Sequence, residues 1–169
     1  MQINVAQLLK EPVGAKRSYS VDEFAGENEE NHVIGKIGLV RTNRGILLMG
    51  TLSTDISGTC ARCLGEAHMR ITFNMEEEYF PVIDINTGLH VKYSPDEFTL
   101  SDKHILDLSE ALRQYIIMAT PTKLLCRSDC QGLCPVCGKQ VAACDCIHSN
   151  KSSDHRWDKL VQVKKESKV

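Results

Sequence analysis

The order of apolar and polar positions along this chain predicts its elements in turn. Ile3, Val5, Leu8 and Leu9 stand close together ahead of Pro12 and Gly14, which predicts a short helix or strand ended by those two breakers. The stretch "YSVDEFAGENEENHV" then turns polar and acidic, and residues 22–31 are expected to form a solvated loop. From Val33 the period changes: "HVIGKIGLV" alternates and is β-branched, and "ILLMGTLSTDISGTC" continues as a long strand. Between them "RTNRG" reads as a turn in which Asn43 and Gly45 can take positive φ. Beyond the "CARC" corner, Ala67, Met69, Ile71, Phe73 and Met75 alternate with His68, Arg70, Thr72, Asn74 and Glu76. That is the pattern of a half-buried strand with one wet face. His68 and Arg70 on that face read as solubilising residues, and Glu76, Glu77 and Glu78 as a solvated strand end, not a catalytic carboxylate pair.

"PVIDINTGLHVKYSPDEFTLSDKH" has no sustained period and reads as a loop-rich insertion. Ile105, Leu108, Leu112, Tyr115, Ile116 and Ala119 then fall on one helical stripe. Asp107 with Glu110 resembles a capping box and Pro121 a stop, so a helix is expected over 107–120. An apolar stripe at that spacing belongs to a core and is assigned no chemistry. The expected fold is α+β: an antiparallel curved sheet or small open barrel over about 33–100, one main packing helix, and a zinc-stapled C-terminal extension. The expected organisation is a core domain at 1–122 bearing the Cys60-x-x-Cys63 corner, a cysteine-rich segment at 123–150 and a basic tail at 151–169.

Composition narrows the class. With 42% apolar and 25% charged residues in 169, the chain is long enough for one real core and a small appendage. No apolar run suits a membrane helix, and the first residues carry no signal-peptide pattern. A cytoplasmic protein without a membrane partner is therefore expected. Charge is uneven: residues 1–120 have a balance of −6 and residues 121–169 one of +4. That tail is too mildly basic to be a dedicated nucleic-acid clamp.

In a reducing compartment, eight cysteines argue for metal or reactive thiols over disulfides. Six of them, Cys126, Cys130, Cys134, Cys137, Cys144 and Cys146, lie in "LCRSDCQGLCPVCGKQVAACDC". Cys134-Pro-Val-Cys137-Gly is the firmest pair, since two thiolates three positions apart bind one ion across a tight turn that Gly138 permits. The segment is too polar to fold alone, so bound Zn²⁺ would supply the missing free energy. Four of the six are expected to bind one zinc. Cys60 and Cys63 form a second candidate pair, which could complete a site with Cys134 and Cys137 as zinc ribbons do. The alternatives are a thioredoxin-like dithiol, a disulfide knot, an iron–sulfur cluster, or two small buried thiols at the 60–63 turn. His148 is a substitute ligand.

With these elements placed, the chain resembles the bacterial and plastid large ribosomal RNA subunit accumulation proteins, the YceD family. The resemblance rests on "INVAQLLKEPVGAKRSY", "CARCL", "LDLSEALRQYIIMATP", the cysteine tail and "DHRWDKL", in that order along nearly the whole chain. "GKQVAACDC" departs from the family in lacking Asn-Leu-Asn after the CxxCG, and His155 stands where Pro is usual. The resemblance implies a non-enzymatic factor supporting accumulation or processing of large-subunit ribosomal RNA, bound to that RNA, to a pre-ribosomal particle or to a ribosomal protein. Arg62, Lys123, Arg127, Lys139 and Arg156 are the candidate RNA contacts. A single tail tryptophan, Trp157, argues against a base-stacking platform. No nucleophile–base pair or phosphate-binding loop is visible, so neither an enzyme nor a small-molecule substrate is expected. The remaining alternatives are a zinc-stabilised protein-docking module and a thiol redox sensor.

Overall fold

The computed structural model describes residues 1–25, 31–146, 156 and 159–160. His148, Trp157 and most of the expected basic tail lie outside them. Two compact units are present, Met1–Cys130 and Gln131–Val169; the first extends past the 122/123 boundary expected from sequence.

The first unit is built on an open five-stranded sheet in the order β2-β3-β4-β5-β6. Its strands are β2 (Lys16–Ala25), β3 (Asn31–Arg41), β4 (Ile46–Thr59), β5 (Glu66–Pro81) and β6 (Phe98–Leu100). Successive pairs are antiparallel up to β5, and β6 joins β5 in parallel. β2 and β6 are the outermost strands, so the sheet does not close into a barrel. β1 (Gln2–Asn4) pairs separately with β7 (Ile105–Asp107), and α1 (Ala6–Lys10) follows β1 directly. The first apolar cluster therefore supplies both a strand and a helix.

Alternation sets the layers. Ile46, Leu48, Leu52, Thr54 and Ile56 on β4 are buried, as are Ala67, Ile71, Phe73, Met75 and Tyr79 on β5. The helix α2 (Ser109–Ala119) covers this face with Ala111, Leu112 and Ile116. It starts two residues later than expected, because Asp107 spends its Oδ1 on the Ser109 N–H while Glu110 turns to Arg113 and Gln114. The capping box is not formed.

Two further expectations are corrected. Residues 22–25 belong to β2 and not to a loop; as an outer strand, β2 buries only Val21 and Ala25 and so carries almost no apolar signature. Glu76, Glu77 and Glu78 sit within β5, which continues to Pro81, with Glu77 and Glu78 accepting hydrogen bonds from Tyr115 and Thr42. At the β3–β4 turn neither Asn43 nor Gly45 has positive φ. Arg41 closes that turn by donating to the Thr42 and Gly45 carbonyls, and Gly45 is small because the Tyr79 carbonyl lies where a Cβ would stand.

Candidate metal centres

The register of the sheet delivers the first cysteine. Residues 46, 48, 52, 54 and 56 point inward, and the same parity carries Cys60, just past β4, to zero exposure. The chain then turns in four residues: the Leu64 N–H donates to the Cys60 carbonyl at 3.0 Å, and the Cys60 N–H to the Gly65 carbonyl at 2.8 Å. Leu64 pays for this tight turn with φ +58, a left-handed conformation unusual for a branched side chain.

The segment after α2 brings the other two ligands. Leu124 packs over Gly58, and its carbonyl accepts the Ala61 N–H at 2.8 Å. Arg62 reaches across from the corner, its Nη1 donating to the Cys130 carbonyl at 2.8 Å and to Ser128 at 3.4 Å. Cys126 and Cys130 thereby meet Cys60 and Cys63, and the four Sγ atoms lie within 4.8 Å of one another. Cys60–Cys130 is 3.9 Å and Cys63–Cys126 is 3.7 Å, sulfur to sulfur. Four thiolates at zinc's usual 2.3 Å in a tetrahedron stand about 3.8 Å apart. The fit to a single ion is close.

The second unit repeats the device. The Gly138 N–H donates to the Cys134 carbonyl at 2.9 Å, and the Cys134 N–H to the Lys139 carbonyl at 2.7 Å. Here glycine occupies the left-handed position, at φ +72. A short 3-10 turn, Val141–Ala143, returns the chain, and Cys144 and Cys146 join Cys134 and Cys137 within 4.8 Å. Cys137 and Cys144 are 3.4 Å apart.

All eight cysteines are free thiols. The sulfurs converge in fours, not in disulfide pairs, and a polynuclear iron–sulfur cluster would spread its thiolates over several irons. In each group one sulfur is prepared for charge. N–H groups of Cys63, Cys126 and Arg62 pull the Cys60 thiol down to about 6, and those of Cys137 and Val136 do the same for Cys134. Neighbouring sulfurs push Cys126 and Cys146 up to about 12. Four crowded thiols resist ionising together unless a dication neutralises them.

The profile of the large ribosomal RNA subunit accumulation protein YceD matches residues 48–164, from near the start of β4 through both cysteine groups. The chain belongs to the YceD family. An uncharacterised protein of Mycobacterium bovis and one of Mycobacterium tuberculosis are each 32% identical over 122 residues, covering 72% of this chain and 56% of their own length. One of Mycobacterium leprae is 29% identical over 127 residues, covering 70% and 52%. The chain thus spans about half the length of the curated relatives it matches. No solved structure matches it. Among the described residues no helix is long and apolar enough to cross a membrane.

In this YceD-family chain the cysteine grouping differs from that suggested by sequence. The corner pair joins Cys126 and Cys130, not Cys134 and Cys137, so the six tail cysteines are shared between two groups. Among the candidate cations, Arg62 is tied to local carbonyls and Arg127 lies 3.5 Å from Asp129. Lys123, Lys139 and Arg156 are exposed. Sequence reading missed Leu64, although the signal was there: "CARCLG" and "CPVCGK" align, placing Leu64 opposite Gly138.

Proposed function

We propose that this protein supports accumulation of large-subunit ribosomal RNA as a non-enzymatic cytoplasmic assembly factor, with structural zinc holding the surface that meets the RNA or a pre-ribosomal particle. The family match across both cysteine groups carries the reading. Zinc suits it because tetrahedral all-thiolate sets select Zn²⁺ and the ion is redox-silent. Arg62, Lys123 and Arg127 lie in or beside the segments that hold the first group, and Lys139 stands two residues after Cys137. Each zinc centre would hold the cations on its own segment toward phosphates.

Crosslinking the tagged protein to RNA in its host by ultraviolet light, then sequencing the attached fragments, tests this. Enrichment of one segment of large-subunit ribosomal RNA, lost in a Lys123→Ala/Lys139→Ala variant, is the expected result. Binding to that segment should also weaken steeply with added salt. One observation favours a second reading: both cysteine turns carry an exposed apolar residue, Leu64 at 66% and Val136 at 74%. If no ribosomal RNA is recovered and association with pre-ribosomal particles tolerates salt, docking on a ribosomal protein replaces direct RNA contact.

A further inference from the structure

We propose that the chain carries two zinc ions in independent four-thiolate centres, and that the two do unequal work. Cys60, Cys63, Cys126 and Cys130 form a locking centre inside an already folded body. Cys134, Cys137, Cys144 and Cys146 form a centre whose ion folds its own ligand loop. This rests on the zinc assignment above and extends it to number and role.

No ligand is shared between the two sets, and each is complete as a tetrahedral donor set. Their surroundings differ. The first has an apolar wall: Cys60 and Cys130 are buried with Ala67, and Leu124 and Leu125 pack against them. Its ligands come from the rim of a sheet and from the segment beyond α2, so the protein around it is held by β4, β5 and α2. Cys126 is exposed and Cys63 half-buried, but Cys60 and Cys130 are buried, so complete loss of the ion would require the packed parts around those two sulfurs to separate. Among the described residues the second centre has no such support. Between residues 131 and 146 the only buried residues are Gly132 and Cys134, while Val136, Cys137, Ala142 and Ala143 are exposed. Among the described residues it is shaped by one bridge between Leu133 and Gln140, a short 3-10 turn and a few turn hydrogen bonds, some of them from N–H groups to the cysteine sulfurs. A segment that buries so little apolar surface cannot offset its chain entropy, and the ion must supply the difference.

The test is zinc content and zinc release on the full-length protein. Elemental analysis should give two zinc per chain, and one per chain in Cys63→Ser and in Cys137→Ser. With excess chelator and a metallochromic dye, release should be biphasic. The fast phase should vanish in Cys137→Ser and the slow phase in Cys63→Ser. The sheet signal in circular dichroism should persist through the fast phase. X-ray absorption at the zinc edge of the wild type supplies a check free of mutation: a shell of four sulfurs near the usual zinc–thiolate distance averaged over both ions is expected. One zinc per chain, lost by both variants, would overturn the two-centre proposal, and so would nitrogen or oxygen ligands at the edge. Two zinc released in a single phase would overturn their inequality. Iron in place of zinc would overturn the metal assignment itself. None of these outcomes depends on whether RNA is bound, so failure here and failure of the RNA reading are told apart.

Discussion

At the scale of single residues, glycine does two distinct jobs, and substitution separates them. Gly138 holds φ +72 with nothing within 4 Å of a would-be Cβ, so its requirement is conformational alone. Gly138→Ala should cost about 1 kcal/mol of left-handed strain, which is roughly a five-fold loss in zinc affinity at the second centre. Competitive titration against a chelator of known affinity would measure it. Gly45 has no positive φ but faces the Tyr79 carbonyl at closer than contact distance for a Cβ. There the neighbour is backbone and cannot swing away. Gly45→Ala should destabilise the first unit by more than about 2 kcal/mol, read from the denaturant midpoint. Leu64 shows the converse case, a side chain tolerated in the glycine position of its own turn.

At the scale of elements, α2 is the part whose packing decides the most. Leu112 is 1% exposed beneath it, and Leu112→Ala should cost about 2–5 kcal/mol in equilibrium unfolding. The first turn of the same helix carries a pH signature. Hydrogen bonds from Arg113 and Gln114 hold the Glu110 carboxyl down to about 2, from an ordinary 4.5. A depressed carboxyl contributes stability above its unfolded value and loses it as pH falls through the folded one. The contribution of this exposed group is modest, present above about pH 4.5 and gone near pH 2, and Glu110→Gln should flatten that part of an acid titration followed by helix ellipticity. The strands that were legible in the sequence, β3, β4 and β5, share a clean inward parity. β2 was not legible because Ser18, Ser20, Asp22 and Glu23 line an outer strand with little to bury. The two CxxC turns were legible as metal-binding elements, since their chemistry is local. Their pairing was not, because Cys60 and Cys130 are 70 residues apart and only the course of the chain past α2 brings them together.

At the scale of the whole molecule, the first centre acts as a clip across a long loop. Closing a ring of 70 residues restricts the unfolded chain as a disulfide would, by about 4 kcal/mol in the entropic account. Stripping both ions should therefore lower the unfolding midpoint of the sheet as well as unravel the second unit. Urea titrations with and without chelator, followed at the β-sheet signal, would show the first effect separately from the second. A chelated protein whose sheet unfolds at an unchanged midpoint would remove the clip from the account. The same separation also has a consequence in time. During synthesis β4 and β5 can pair as soon as both have emerged, setting Cys60 and Cys63 side by side. Cys126 is made 63 residues after Cys63. At ordinary elongation rates that interval is roughly 3–13 s. For that period the nascent chain displays an open pair of thiols, available to peroxide, to copper or to a neighbouring nascent chain. The second centre, with all four ligands between residues 134 and 146, passes through no comparable wait.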